Sequence, residues 1–161
     1  MKGRVKFETF VNGEGFPFED AAIFEKVYHE NLQMEPDEKK ELFKHSIAVL
    51  MYVDDELVGE TYGIPTQELE EEIPNVTKDA QTIYCYSNTI IPSHQHFGWG
   101  KIMKAFWMGF VKAKGFKKVV GHTNMQTGSD ILNAFFGARF GQIHKDWYGT
   151  GTPYVAYEIE L

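Results

Sequence analysis

A strand, a glycine-containing turn and an amphipathic helix follow one another in the middle of this sequence, and this unit constrains the fold more than any other feature. Residues 81–91 are rich in β-branched and aromatic side chains, which favours a strand. Residues 101–114 repeat apolar side chains at helical spacing, and Gly115 is placed to end the helix. The apolar stripe consists of Ile102, Met103, Phe106, Trp107, Phe110 and Val111. The pattern predicts a strand followed by a helix with one buried face.

The segments around this unit add further strands and helices. Strand patterns occur at residues 4–11, 46–53, 57–64, 116–120, 143–148 and 154–161. Helical spacing occurs at residues 18–32, from residue 36 to about 43, and at 131–140, where Gly141 is placed as a C-cap. Residues 65–80 show no clear core face and are predicted to form a surface excursion. This order predicts an α+β fold, with a mostly antiparallel sheet and helices on its faces.

Size and cysteine content indicate one domain in a reducing compartment. The 161 residues, 43% of them hydrophobic, are enough for a packed core without disulfides or a metal, so we expect a single domain over residues 1–161. The single Cys85 cannot form an internal disulfide, and no Cys/His spacing resembles a zinc site. The basic N-terminus lacks an apolar signal segment, and the apolar run 47–53 is shorter than the about 20 residues of a membrane helix. We therefore expect a cytoplasmic protein that does not enter a membrane.

The charge of the chain bears on its partners. The formal net charge is −7 and the isoelectric point is near 5.3, which argues against a nucleic-acid partner, since such binding depends on clustered Lys and Arg. An acidic protein suits a cationic or neutral substrate better. The sequence leaves a homodimer open.

The turn between the central strand and helix has the chemistry of an anion site. Residues 92–100 feed a helix N-terminus, where unpaired N–H groups and the helix dipole favour a diphosphate. Gly98 and Gly100 would let the main chain approach phosphate oxygens, and Lys101 adds a positive charge. The P-loop pattern fails at Gln95 and Ile102, and the Rossmann pattern fails at Met103.

The segment Ile90-Ile91-Pro92-Ser93-His94-Gln95-His96-Phe97-Gly98-Trp99-Gly100 resembles the signature of the GCN5-related N-acetyltransferase (GNAT) family. That signature is a hydrophobic strand end, a Pro, and then Q/R-x-x-G-x-G/A opening a helix. The order of strands and helices resembles the family fold over nearly the whole chain. The resemblance implies a sheet of about seven strands with helices on both faces, splayed between the fourth and fifth strands. It also implies transfer of an acetyl group from acetyl-coenzyme A to a primary amine of a small molecule or peptide. We expect direct attack by the amine, because Cys85 lies in the middle of a strand and is not placed as a nucleophile, and we expect no metal.

The resemblance assigns a set of cofactor-binding residues. Main-chain N–H groups from Gln95 to Lys101 would hold the pyrophosphate, and the strand edge at Ile90 and Ile91 would pair with the pantetheine arm. Asn124 and Ser129 would lie beside the thiol end. The complete set is Ile90, Ile91, Gln95, His96, Phe97, Gly98, Trp99, Gly100, Lys101, Asn124, Ser129 and Phe136.

The catalytic groups are less clearly indicated. By the resemblance, the backbone N–H of Ile91 would bind the developing oxyanion. The family's usual base positions correspond to Tyr84 and Tyr86, which are poor bases and would line the acceptor pocket, organise a water relay or simply pack on the sheet. Glu60 is the alternative proton acceptor, although a solvated strand carboxylate is the favoured interpretation.

The usual acid for the leaving thiolate is a Tyr, and its place here falls on Gly137. Tyr148 would substitute for it, or solvent would assist the thiolate, or the domain would be inactive. An alternative function is therefore a coenzyme A-binding sensor or interaction module with little or no turnover. The acceptor-binding loops would be residues 33–37 and 149–153, whose sequence does not identify the acceptor.

Overall fold

The described residues, 3–161 of this computed structural model, form a seven-stranded mixed sheet with helices on both faces. The strands are β1 (Val5–Val11), β2 (Ile47–Val53), β3 (Glu56–Pro65), β4 (Thr82–Ile90), β5 (Lys118–Asn124), β6 (Arg139–His144) and β7 (Tyr154–Glu160). The α-helices are α1 (Phe18–Ala21), α2 (Pro36–Leu42), α3 (Trp99–Ala113) and α4 (Ser129–Phe135). Short 3-10 helices span Ala22–Val27, Glu30–Leu32, Phe43–His45, Thr66–Glu68, Pro92–His94 and Trp147–Gly149.

The strand order is β1-β2-β3-β4-β5-β7-β6, and every neighbouring pair is antiparallel except β4 and β5. These two strands run parallel and pair only over Thr82–Cys85 and Lys118–Gly121. Beyond that point β4 continues to Ile90 without pairing to β5, so a gap opens in the sheet. The structure confirms the predicted α+β fold and the predicted splay between the fourth and fifth strands.

The core has two layers because successive residues of β2 point to opposite faces of the sheet. Val49 and Met51 pack under α3 with Met103 and Trp107, and we call this side the α3 face. On the opposite side, which we call the N-terminal face, the segment containing α1 and α2 covers the sheet. Its buried residues include Phe24, Phe43, Ala48, Leu50 and Tyr62.

The predicted helix at residues 18–32 is wrong. The α-helix ends at Ala21, a 3-10 helix follows to Val27, and Tyr28 is extended with ψ 157°. Tyr28 leaves the helical path because its hydroxyl bonds to Ser87 and Thr89 on β4. The hydrogen bond between Tyr28 and Ser87, which are 59 residues apart in sequence, thus ends the helix that the local spacing predicts.

The predicted helix at 131–140 and the predicted strand at 143–148 are also wrong in their bounds. Helix α4 ends at Phe135, and Gly137 has the left-handed φ of 81° that a chain reversal after a helix requires. Strand β6 then begins at Arg139, whose guanidinium contacts the Glu158 carboxylate of β7 at 2.5 Å. Residues 139 and 140, for which the spacing predicts a helix, therefore form a strand because they pair with β7.

The predicted surface excursion at residues 65–80 is in part a cover for the sheet. Leu69 and Ile73 are buried against Tyr84 and Trp147, which extends the core of the N-terminal face. The acidic run of this segment therefore borders the splayed end of β4, where Glu71 accepts a hydrogen bond from Tyr86.

Candidate cofactor and acceptor site

The gap beside β4 exposes backbone groups that no strand uses. The N–H of Ile91 donates to the Val58 carbonyl of β3 at 3.0 Å. Residues two apart on a strand direct their backbone groups to the same side, so Ser87 and Thr89 also face β3, whereas Asn88 and Ile90 face the gap. The prediction that Ile91 supplies the oxyanion donor is corrected, because the sheet already uses that N–H. The donors available at the gap are those of Asn88 and Ile90.

Two buried polar side chains flank the gap on the α3 face without a partner. Asn88 Oδ1 on β4 and Thr123 Oγ1 on β5 have no hydrogen-bond partner among the described residues. Buried polar atoms are nearly always hydrogen-bonded in native proteins, so both atoms call for a donor from outside the chain. A chain of amide and hydroxyl groups, such as a pantetheine arm, would supply donors along this gap.

The predicted phosphate loop connects this gap to helix α3. The side chain of Gln95 donates to the Ile90 carbonyl at 2.8 Å, which ties the loop to the end of β4, and its backbone N–H donates to the Pro92 carbonyl. Gly98 is the N-cap of α3. The first N–H of α3 bonded to a helical carbonyl is that of Ile102. The N–H groups of residues 99–101 therefore form an open helix N-terminus, as an anion site requires.

The two loop glycines have different roles. Gly98 has a φ of 86°, a conformation that side-chain-bearing residues rarely adopt. A Cβ at Gly100 would lie 3.5 to 3.7 Å from Ile90, Asn88 and Leu132, which is ordinary contact. The fold itself thus requires glycine at position 98 but would accept alanine at position 100.

The other predicted cofactor residues lie around the same opening. The Lys101 ammonium lies 3.9 Å from the ring centroid of Phe135, and the Phe97 ring is 58% exposed. Asn124 ends β5 and Ser129 begins α4, so both lie beyond the gap. Phe136 instead packs partly buried against the core of the α3 face.

On the N-terminal face, Tyr84 lies in a buried aromatic cluster. Its hydroxyl lies 2.9 Å from His122 Nδ1, and the His122 ring stacks on Trp147 at 4.2 Å between centroids. Burial lowers the pKa of His122 to about 4 and raises the pKa of Tyr84 well above its usual value. Both side chains are therefore neutral near pH 7. Strand alternation places His122 on this face, but no sequence signal connects it to Tyr84 or Trp147.

Tyr86 and Tyr148 border this cluster on its outer side. Tyr86 is the bulged residue of β4, since Tyr62 pairs with Ser87 and Gly63 with Cys85. Tyr148 is half exposed and has a positive φ of 49°.

The two loops that were predicted to contact the acceptor meet beside Tyr148. The side chain of Asn31 donates to the backbone carbonyls of Tyr148 and Gly149, at 3.2 and 3.0 Å. The segment before α2 is thereby joined to the loop before β7. The bridging residue, Asn31, lies just before the predicted range of residues 33–37.

Glu60 is fully buried, so its interpretation as a solvated carboxylate is wrong. Its Oε1 atom pairs with the buried Lys39 ammonium, which also lies 3.2 Å from Glu25 Oε2. Its Oε2 atom has no hydrogen-bond partner within residues 3–161. Burial raises the pKa of Glu60 to about 7. The sequence did not reveal this because Lys39 is 21 residues away.

Three hydrogen-bonded hydroxyls lie next to Glu60 on the N-terminal face, along the splayed part of β4. Thr89 is the direct cross-strand neighbour of Glu60. The Tyr28 hydroxyl bonds to Thr89 and, at 2.5 Å, to Ser87. A carboxylate with a pKa near neutrality thus lies behind three hydroxyls at the edge of the gap.

Two kinds of feature are absent among residues 3–161. No three or more His, Cys, Asp and Glu side chains in this range are arranged to hold a metal ion. None of the helices in the described part is long and apolar enough to span a membrane.

Comparisons with known proteins bear on the fold. No protein-family sequence model matches the chain, and no curated protein matches it. Among solved structures, a GNAT family acetyltransferase from Elizabethkingia anophelis with acetyl-CoA bound has a TM-score of 0.71 and 17% identity, with 99% of this chain and 100% of that chain covered. A Bacillus subtilis acetyltransferase in complex with CoA has a TM-score of 0.68 and 17% identity, with 99% of each chain covered.

A third similar structure is the ribosomal-protein-S18-alanine N-acetyltransferase of Escherichia coli, with a TM-score of 0.73 and 9% identity, covering 98% of this chain and 94% of that chain. The similarity to all three extends over nearly the full length, and it includes the mixed sheet with its parallel β4–β5 pair. At these identities the comparison establishes the fold. The resemblance noted in the sequence is confirmed at that level: the chain has the fold of the GNAT acetyltransferases.

Proposed function

We propose that this chain is an N-acetyltransferase that moves an acetyl group from acetyl-coenzyme A to a primary amine by direct attack. The observation that carries the proposal is the gap beside β4. Polar groups without a hydrogen-bond partner lie along this gap, and it ends at the open N-terminus of α3. Two proteins of the same fold are described with acetyl-CoA or CoA bound, which supports this cofactor. Residues 1–161 would act as one domain, in the cytoplasm.

The loop and the strand edge would bind different parts of the cofactor. The backbone N–H groups from His96 to Lys101 would bind the pyrophosphate, because they open onto the positive end of the α3 dipole. Asn88 Oδ1 and Thr123 Oγ1 would accept hydrogen bonds from the pantetheine arm. Asn88 is farther from the phosphate loop than Ile90, so its backbone N–H is the candidate donor to the acetyl carbonyl.

The proton of the attacking amine would move toward Glu60. Tyr84 and Tyr86 are unsuited as bases, because burial raises the pKa of both hydroxyls. A carboxylate with a pKa of about 7 matches the task of a general base near neutral pH. Ser87, Thr89 and Tyr28 would relay the proton, since Glu60 itself is fully buried.

The acceptor would bind on the N-terminal face, between the two loops that Asn31 joins. Its wall contains Tyr86, Glu71 and the half-exposed Tyr148. Carboxylates and aromatic rings together favour a cationic group. We infer a small molecule or peptide with a primary amine.

The first experiment measures acetyl-CoA binding by calorimetry and thiol release with a panel of polyamines, amino acids, aminoglycosides and Lys peptides. Gly100→Ala should weaken acetyl-CoA affinity by about tenfold, because a methyl group would enter the narrow space beside Asn88. Gly109→Ala is the matched control in the same helix, since its Cβ would meet nothing within 4 Å. Absence of acetyl-CoA binding by the unaltered protein would contradict the proposal.

The second candidate function is a coenzyme A-binding sensor or interaction module. It is favoured by one observation: the sequence of α4, Ser129–Phe135, contains no tyrosine to protonate the thiolate. Tight binding without thiol release on any amine of the panel would support this alternative over the enzyme.

A further inference from the structure

A second buried lysine lies on the α3 face, apart from the groups assigned above to the cofactor, the acceptor and the proton acceptor. Lys104 of α3 is 1% exposed, and its ammonium lies 2.5 Å from Asn133 Oδ1 of α4 and 3.0 Å from the Tyr157 hydroxyl of β7. The Asn133 amide nitrogen donates to the Ser129 carbonyl, so its oxygen is left to accept from Lys104. Three separate elements therefore hold one ammonium group in place.

No carboxylate compensates the charge of Lys104. Its described hydrogen-bond partners are neutral, and none of the ion pairs within residues 3–161 includes it. A buried ammonium without a counterion is costly, and an apolar side chain of similar length would fill the same space at lower cost. The arrangement therefore points to a role for a proton that this lysine can give up.

The Tyr157 hydroxyl reaches the end of the gap because the residue beneath it is a glycine. Cys85, Gly121 and Tyr157 are neighbours in a row across β4, β5 and β7. A Cβ at Gly121 would lie 2.7 Å from the Tyr157 hydroxyl, so the phenol ring occupies the place of a side chain there. Cys85 and Gly121 are the last paired residues before β4 and β5 separate. The hydroxyl thus lies where the gap begins, at the end farthest from the phosphate loop.

We propose that Tyr157 and Lys104 return a proton to the coenzyme A thiolate once the acetyl group has moved. This inference rests on the proposed acetyltransferase function. The amine nitrogen forms a bond to the carbonyl carbon, the bond from that carbon to sulphur breaks, and sulphur keeps the electron pair. The Tyr157 hydroxyl proton passes to sulphur, and an ammonium proton of Lys104 replaces it on the phenol oxygen.

The protons balance over one turnover. Lys104 ends as a neutral amine, while the proton lost by the acceptor amine is on the Glu60 side of the sheet. Glu60 then releases a proton to solvent, and Lys104 takes one up. Burial lowers the pKa of Lys104, which makes its ammonium a better proton donor. Burial raises the pKa of Tyr157, so its hydroxyl stays protonated until the thiolate forms. The titratable groups facing Lys104 are Cys85 and Tyr157.

Tyr157 would thereby replace the tyrosine that α4 lacks. Tyr148, the substitute considered from the sequence, is half exposed on a loop beside Trp147 on the N-terminal face. Tyr157 instead lies on the α3 face, under the helix whose N-terminus would bind the cofactor.

The test uses Tyr157→Phe, which keeps the ring and removes only the hydroxyl. Thiol release is measured with acetyl-CoA, with the S-acetyl thioester of N-acetylcysteamine and with S-phenyl thioacetate. We expect kcat with acetyl-CoA and kcat/KM with the alkyl thioester to fall by about 100-fold. The kcat/KM with S-phenyl thioacetate should change by less than about threefold, because thiophenolate is a stable leaving group that needs no proton. The control, Tyr52→Phe on β2, removes a hydroxyl from a strand that does not border the gap and should leave all three unchanged.

The outcomes test the role of Tyr157 and the proposed acetyltransferase function separately. Equal losses with all three thioesters, or a weaker Kd for acetyl-CoA that accounts for the loss, would assign Tyr157 a structural role and overturn the inference. Unchanged turnover in Tyr157→Phe would overturn it while leaving the acetyltransferase function intact. Absence of thiol release by the unaltered protein on every amine would overturn both.

Discussion

Lys39 and Lys104 are both buried to 1% exposure, and they have opposite surroundings. Lys39, on the N-terminal face, lies between two carboxylates, Glu25 and Glu60. Three aromatic rings, Phe16, Phe43 and Tyr62, surround it with centroids 5.5 to 5.8 Å from its ammonium. Lys104, on the α3 face, has only the neutral Asn133 and Tyr157.

The difference gives the two sides of the sheet opposite proton chemistry. Two carboxylates and one ammonium leave the Lys39 cluster with an excess negative charge, so it favours taking up a proton. The Lys104 cluster carries an uncompensated positive charge, so it favours losing one. The splayed part of β4 lies between them and places Thr89 toward the first cluster and Asn88 toward the α3 face. The acyl transfer that we propose needs a proton acceptor and a proton donor, and this arrangement would provide one on each side of the sheet.

The largest expected effect is on stability, from Lys39→Met. Removing the ammonium leaves Glu25 and Glu60 as uncompensated buried carboxylates, and breaking a buried ion pair in this way costs about 3 to 5 kcal/mol of unfolding free energy. Urea unfolding would measure it, with the exposed neighbour variant Lys40→Met as the control. A loss below about 1 kcal/mol would show that the Lys39 cluster is already compensated without its lysine.

The next effect is on activity, from Glu60→Gln. The Glu60 carboxylate accepts a proton only when ionised, so kcat should rise as pH increases through about 7, its raised pKa. The Gln variant should lose about 100-fold in kcat at pH 8 and should lack that inflection. The pH profile of thiol release measures both. An inflection that persists in the variant would assign the pH dependence to another group. Glu71→Gln, which alters the exposed carboxylate beside Tyr86, is the control that should keep the inflection.

The smallest expected change in stability comes from Lys104→Met, and it tests whether the two buried lysines differ in what they contribute to the fold. The variant relieves the cost of a buried ammonium but leaves the Tyr157 hydroxyl and Asn133 Oδ1 without their donor, so the two effects should cancel to within about 1 kcal/mol. Urea unfolding against the exposed Lys112→Met measures the difference. A loss as large as that of Lys39→Met would mean that Lys104 holds the fold together instead of serving as a proton source.

Local features of the structure could be predicted from the sequence. The unit formed by β4, the loop and α3 was predicted to within about two residues at each end, because its strand propensity, glycines and apolar stripe are all short-range signals. The same signals failed at residues 18–32 and 131–140. There Tyr28 reaches across to β4, and Arg139 pairs with β7, so contacts distant in sequence decided the conformation.

The layered fold and the open N-terminus of α3 could be predicted from the sequence alone, since both follow from neighbouring residues. Which polar groups are buried, and which partners they have, depends on contacts between residues that are distant in sequence. Glu60 is fully buried beside Lys39, 21 residues away, and Lys104 lies beside Tyr157, 53 residues away. The pKa of a carboxyl or an ammonium depends on desolvation and on the charges around it, and both are properties of the folded chain. The proton transfers that we propose therefore could not be predicted from the sequence, because they depend on groups that only the folded sheet brings together.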